Sequence, residues 1–274
     1  MSDSDHNLGI DHESEHDEGK ISQSDLKNYE IGTLIQKAGG FGKLQWLIIL
    51  FGIIADQGIN YFIFTIAYLE LVPSVLCKYT KQDEFVKCYD YKDICKENYV
   101  FDWKVDYDDK YSFHNWITDQ NLYCKSDFMI GLFGSIYFVG FGFLGVFLKF
   151  SDKYGRKKIV ISSCIFQTLL VFLFLFSDDY RAYYVIFFFA GISITKETIL
   201  FIYRTELVPD KYQIYISAIS HTCFTLICYT NVPLYFYYGG KNWKYAYCPA
   251  AVFITIASII SFFIPESPRY LYSK

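Results

Sequence analysis

Charge is missing from long stretches of this sequence. Charged residues make up 20% of its 274 positions, yet they are crowded into a few short segments. A soluble domain of this size interleaves charge with apolar residues at helix or strand period. Uncharged runs of about 18 or more residues read instead as bilayer spans, because about 20 helical residues cross roughly 30 Å of hydrocarbon. A basic face is missing as well. The net charge is −4 and comes from two acidic regions, the tail before Lys20 and the segment from Asp83 to Asp127, so nucleic acid is excluded as a partner. No cleavable leader is visible. The first apolar run begins near Leu44 after a polar tail, and the first span is expected to be retained as its own signal. The sequence has no His-Glu-x-x-His pattern and no paired aspartates in an apolar run, which argues against an intramembrane enzyme. His6, His12 and His16 sit among carboxylates without a fixed ligand spacing, so neither a metal site nor a cofactor is expected.

Apolar length is what is present. Six apolar segments lie at 44–72, 128–148, 159–176, 182–203, 212–238 and 245–264. Each is about twice the length of a barrel strand and apolar all round, so each is expected to be a helix that satisfies its own backbone in lipid. The expected fold is an all-α polytopic membrane protein, a bundle of six transmembrane helices. Residues 1–37 read as a disordered acidic tail and residues 38–274 as the helical domain. A six-span channel would carry repeated Arg or Lys in its fourth span and a pore segment between spans five and six. Only about six residues separate those two spans here.

The connections are unequal. The segment 149–158 holds Lys149, Lys153, Arg156, Lys157 and Lys158, whereas 177–181 offers only Arg181. The positive-inside rule therefore predicts a cytoplasmic 149–158 connection, a cytoplasmic N-terminus and an external loop at 73–127. That long loop carries eight lysines, but acids outnumber them. It also holds Cys77, Cys88, Cys95 and Cys124, an even set that predicts two disulfides on an oxidising side. Three pairings are open. No Asn-x-Ser/Thr sequon occurs in the loop.

Three short motifs narrow the class. Between spans two and three runs Ser151-Asp152-Lys153-Tyr154-Gly155-Arg156-Lys157-Lys158. Gly155 permits a tight reversal, and Asp152 can pair with Arg156 near the start of span three. After span six runs Pro265-Glu266-Ser267-Pro268-Arg269-Tyr270-Leu271, in which two prolines stop the helix and Glu266 and Arg269 can form fixed ionic contacts. At the end of span four stands Thr205-Glu206-Leu207-Val208-Pro209. The first motif resembles the D-R-x-G-R-R/K loop of the major facilitator superfamily. The second resembles the P-E-S-P-R-W/Y-L signature of sugar porters and of the organic cation/anion/zwitterion transporter family, and the third resembles that family's T-E-W/L-V-P segment. The loop stretch ending Trp116-Ile117-Thr118-Asp119-Gln120-Asn121-Leu122-Tyr123-Cys124 resembles its T-E-W-D-L-V-C stretch, and sugar porters lack such a cysteine loop.

The resemblance covers residues 38–274. It implies an integral, multi-pass protein, expected in the plasma membrane, that carries small organic ions by alternating access between two six-helix halves. A sugar or polyol carrier and a non-transporting membrane subunit are the alternatives. The second half is absent here, so the chain is expected to be half of a carrier. The sequence departs from the family pattern at Leu148, where Gly is usual, at Lys153 for Arg, and at Phe187 for Arg. The gating residues implied are Asp152, Gly155, Arg156, Lys157, Glu206, Pro265, Glu266 and Arg269. Polar groups within spans are the substrate-binding candidates: Asp56, Gln57 and Asn60 in span one, Lys196 and Glu197 in span four. Asp56 could hold a cation, or the Asp56–Asn60 pair could be a helix-packing patch.

Overall fold

The computed structural model describes residue 33 and residues 40–81, 84–96 and 98–273. The expected tail 1–37 thus lies almost wholly outside the described residues. Among the described residues, ten α-helices and a small sheet follow in chain order. Helix α1 spans Lys43–Leu69, and α2 is the short Trp116–Asp119. Span two consists of α3 (Asp127–Phe141) and α4 (Leu144–Tyr154), and span three is α5 (Arg156–Phe176). Span four consists of α6 (Tyr180–Ser193) and α7 (Thr195–Glu206). Spans five and six are α8 (Asp210–Tyr237) and α9 (Trp243–Ser261), and α10 (Pro268–Ser273) closes the chain. Five of these, counting α3–α4 and α6–α7 as single rods, are long and apolar enough to cross a membrane. The expected fifth span, α8, has 28 residues and the length, but polar side chains are interspersed along it. The expected helical membrane bundle is the architecture found.

Two boundaries differ from the expectation, for one reason. The segment 149–158 is not a ten-residue connection. Helix α4 runs to Tyr154 and α5 starts at Arg156, so Gly155 alone makes the turn, at φ +101°. Basic residues on the wet ends of two helices look like a loop by composition. Asp152 accordingly sits in the last turn of α4 and not at the start of span three. Likewise span four runs on through Arg204 to Glu206, leaving three residues before α8.

Spans two and four pack against each other through their first pieces, α3 and α6. A Cβ on Gly140 would run into the Phe188 carbonyl, and one on Gly191 into the Tyr137 carbonyl. Small residues let membrane helices approach this closely. Just beyond this contact both rods tighten. Phe143 N donates to Gly140 O at 3.1 Å, and Ile194 N donates to Gly191 O at 3.3 Å, both i→i−3 bonds. The second pieces, α4 and α7, then touch far less, and a groove of about 480 Å³ lies between α4, α5, α6 and α7.

The segment 73–127 is not featureless. Strands β1 (Val75–Lys78), β2 (Val86–Lys87) and β3 (Asp102–Val105) form an antiparallel sheet in the order β2-β1-β3. Disulfides join Cys77 to Cys88 and Cys95 to Cys124, one of the three open pairings. The unit is tied to the helix ends. Asn115 Nδ2 donates to Tyr68 O at 3.0 Å and Leu71 O at 2.7 Å, and Trp243 Nε1 donates to Asp119 Oδ2 at 2.8 Å. Trp116 is fully buried against Phe133, with ring centroids 4.5 Å apart.

Candidate functional site

Each span-borne polar residue had to find a partner, because an unpaired charge among helices costs several kcal/mol. The structure brings four of the five candidates, Asp56, Asn60, Lys196 and Glu197, into one cluster between α1, α5 and α7, with Gln57 buried one step round α1. Asp56 is 1% exposed and Lys196 1% exposed. Lys196 Nζ donates to Gln167 Oε1 and to the carbonyl of Ala55, the residue before Asp56. Gln57 Nε2 donates to Ile53 O at 3.2 Å and Asn60 Nδ2 to Asp56 O at 2.7 Å, both one turn back along α1.

Asp56 is not alone. Its carboxylate pairs with Arg204, Nη2 to Oδ2 at 3.2 Å, and Arg204 is 4% exposed. The sequence reading missed Arg204 because it ended span four at residue 203. The available signal was Asp56 itself, since a carboxylate in an uncharged run needs a cation nearby. Gly52 makes the pair possible: a Cβ there would sit 2.7 Å from Arg204 Cδ. Gln167, on α5, was missed for want of charge.

Lys196 and Glu197 are neighbours about 100° apart on α7 and point to different places. Lys196 turns toward α1 and α5. The Glu197 carboxylate lies against the Asn60 side chain, near the Tyr137 phenol of α3 and the Cys228 thiol of α8. Its Oε1 is buried without a hydrogen-bond partner among the described residues, as is Tyr137 Oη. No ion pair to Glu197 occurs among them either. Two acids and two bases thus share the cluster, but only Asp56 and Arg204 are in direct ionic contact.

A second cluster forms at the Gly155 end, where the three motifs meet. Glu206 is its hub. One carboxylate oxygen, Oε1, pairs with Arg156 Nη1 and, at 3.7 Å, with Arg269 Nη1. The other, Oε2, accepts from Ser267 Oγ at 2.5 Å. Glu266 Oε1 accepts from Lys157 N at 3.0 Å, so it satisfies a free donor in the first turn of α5, where a carboxylate is favoured. Arg156 also lies 3.7 Å from Asp152, whose side chain is 72% exposed. Pro265 O accepts from Tyr203 Oη at 2.5 Å, fastening the exit of span six to span four. Gly155 is required twice over. Its φ is +101°, and a Cβ there would lie 2.8 Å from Glu266 Oε2.

Known proteins match along the same stretch of chain. Residues 91–274 match the family described as sugar (and other) transporter. Solute carrier family 22 member 4 of Mus musculus is 30% identical over 161 residues, 58% of this chain and 29% of that protein. Organic cation/carnitine transporter 2 of Homo sapiens is 30% identical over 161 residues, 58% of this chain and 28% of that protein. Organic cation/carnitine transporter 2 of Arabidopsis thaliana is 28% identical over 208 residues, 72% of this chain and 39% of that protein. The chain therefore covers about three tenths of the length of the first two relatives. With helices that can cross a bilayer, three motifs gathered on one charge hub and a family match over most of its length, the chain belongs to the sugar (and other) transporter family of the major facilitator superfamily, with organic cation transporter-like members among its relatives.

Proposed function

We propose that this chain is the first six-helix half of a carrier for small organic ions that works by alternating access. The observation that carries the reading is the convergence of residues 152–158, 204–209 and 265–270 on Glu206 and Glu266. Motifs about 50 residues apart in sequence end in one ionic lock at one end of the bundle. A lock of this kind fastens spans two, three, four and six into a unit that can rock as a body against a second half. On this reading the Gly155 end is cytoplasmic, the disulfide-bonded unit is external, and the protein resides in the plasma membrane.

For the substrate we propose a cation. Asp56 is engaged by Arg204, and Lys196 by neutral acceptors, which leaves the Glu197 carboxylate as the group in the cluster able to receive a positive charge. Gln57 and Asn60 line the same helix and are the neutral contacts. Relatives named organic cation/carnitine transporters agree with that charge.

The test is uptake in cells expressing the longest reading frame that contains these residues, with labelled tetraethylammonium, a dicarboxylate and glucose. Saturable tetraethylammonium uptake that falls at least tenfold in Glu197→Gln supports the reading. Saturable uptake of glucose alone makes the protein a sugar carrier. No uptake of any of the three leaves it a non-transporting membrane subunit and refutes the proposal.

A further inference from the structure

The groove between α4, α5, α6 and α7 borders the first cluster through Lys196 and lies outside the second. Its walls are mainly apolar, with Ser162, Ser163, Ser193 and Thr195 set among aromatic and aliphatic side chains. Phe147, Phe150 and Tyr154 come from α4, and Ile159 and Phe166 come from α5. Phe147, Phe150 and Phe166 are 37–44% exposed, although they sit on helices that can cross a membrane. Lys196 also lines the groove, and its ammonium donates to Gln167 and to the Ala55 carbonyl. Water does not settle stably against such walls. From Ile159 to Phe166 the groove follows α5 for seven residues, about 10 Å along the helix axis. Tyr154 and Ile159 line its end nearest Gly155.

Two lysines stand near the Gly155 end of the groove without a carboxylate partner among the described residues. Lys153 lies one turn beyond Phe150 on α4, and Lys158 lies one turn before Ser162 on α5, so each stands over the groove on its own helix. Both residues are exposed. Among the described residues neither has a carboxylate within 4 Å. Glu206 is taken by Arg156 and Arg269, and Glu266 by Lys157 N. An apolar slot with two exposed ammonium groups beside it, neither in an ion pair among the described residues and one lying over the Tyr154 ring at 5.3 Å, is complementary to a ligand with a long hydrocarbon tail and an anionic head.

We propose that this groove is a binding site for an anionic phospholipid, one acyl chain seated between α4 and α5 and the headgroup phosphate between Lys153 and Lys158. Basic clefts between membrane helices bind acidic headgroups in this way. The site depends on the membrane placement of the chain and not on the carrier reading. Its occupant keeps α4 and α7 apart below the tight α3–α6 contact.

Native mass spectrometry of the purified chain in detergent tests it, with phosphatidylglycerol and phosphatidylcholine of the same acyl chains, and with inorganic phosphate alone. Two lysines near the head support a preference for phosphatidylglycerol of about tenfold or more. Lys153→Gln/Lys158→Gln, both exposed and outside the fold's ionic lock, brings that preference to within about twofold. Ser163→Phe, which fills the groove, lowers retention of both lipids. Lys125→Gln, at the disulfide end, changes neither. Equal retention of the two lipids by the unsubstituted chain overturns the proposal. So does a preference that survives the double substitution, and so does phosphate binding as tight as lipid binding, which would mark a small-anion site.

Discussion

Removing the Asp56 carboxylate should destabilise this chain more than removing its partner. The pair is 3.2 Å apart, and its members are 1% and 4% exposed. Breaking a buried pair by deleting one member costs about 3–5 kcal/mol, because the other is left charged and desolvated. The two deletions are unequal, however. In Arg204→Met the orphaned aspartate can take a proton, and it still has Lys196 close by. In Asp56→Asn the orphaned guanidinium cannot shed its charge. Glu197 is two turns away along the same helix, about 10 Å, too far to replace the lost partner. Each kcal/mol shifts the midpoint of a chain this size by about 2–4 °C, so Asp56→Asn should lower it by roughly 6–20 °C. Arg204→Met should fall well short of that. The double variant Asp56→Leu/Arg204→Met should lie above Asp56→Asn, since it leaves no unpaired charge. The assay is thermal unfolding in detergent, followed by circular dichroism. A midpoint for Asp56→Asn within 2 °C of the parent would falsify the buried-pair argument. A double variant no more stable than Asp56→Asn would do the same for the coupling.

Other outcomes follow from single contacts. Gly155→Ala should cost about 1–3 kcal/mol, read as a lower thermal midpoint, because Gly155 combines a positive φ with a close approach to Glu266; an unchanged midpoint refutes the one-residue turn. In the 73–127 unit, Asp93 is held below the ordinary aspartate value of 3.8 by the hydrogen bond from Lys96, and Asp109 by the hydrogen bond from Tyr111 N and then by Ser74. Their stabilisation is fully present above about pH 4 and is lost as pH falls through the lowered values. Protection of this unit against an acid protease should therefore be flat from pH 7 to pH 5 and decline below pH 4, and a decline already complete at pH 5 refutes the assignment. Closing loops of this size contributes about 3 kcal/mol per disulfide. Non-reducing peptide mapping should find Cys77 with Cys88 and Cys95 with Cys124, and an impermeant thiol reagent should label all four in intact cells only after reduction. Purified residues 1–274 in sealed vesicles should show no saturable solute uptake, since rocking needs a second half.

The helical spans and the ionic lock were legible in the sequence, for different reasons. Spans announce themselves through uncharged length, which the bilayer imposes whatever the packing. The lock was legible through motif resemblance, and part of the physics of its pieces was readable as well: Gly155 for the turn and Arg269 for ionic contact, whereas Glu266 takes the backbone N–H groups of Lys157 and Ser267. Their common partner was not. Glu206 looked like one letter of a weak motif, and nothing in the spacing of residues 152–158 and 265–271 says that they meet there. The sheet escaped notice because strands of two to four residues give no alternation long enough to read. The Cys77–Cys88 disulfide, and not hydrophobic period, ties β1 to the end of β2.

Asp56 shows where single-residue reasoning stops. A lone carboxylate in an apolar run says that something positive must be near, and the sequence offers both a solute and a side chain as the answer. Choosing between them requires knowing that α7 continues one turn past its apolar stretch, so that Arg204 lies within the bundle rather than in a loop. That turn is polar in composition because one of its faces builds the lock. Tyr203 and Glu206 bond to the exit segment of span six, and Arg204, between them in sequence, reaches inward to α1. These three residues therefore connect the lock to the buried cluster, and a change at either one is felt by the other through a single turn of helix. If Glu197 receives the solute, it does so on the helix whose last turn carries the hub of the lock, two and a half turns away. Glu206→Gln tests that connection. By leaving Arg156 and Arg269 without their shared carboxylate, it should weaken the lock and change the apparent affinity of the full carrier for tetraethylammonium, although Glu206 itself never touches the solute. An affinity identical to the parent's, with the thermal midpoint lowered, would confine Glu206 to holding the helices together.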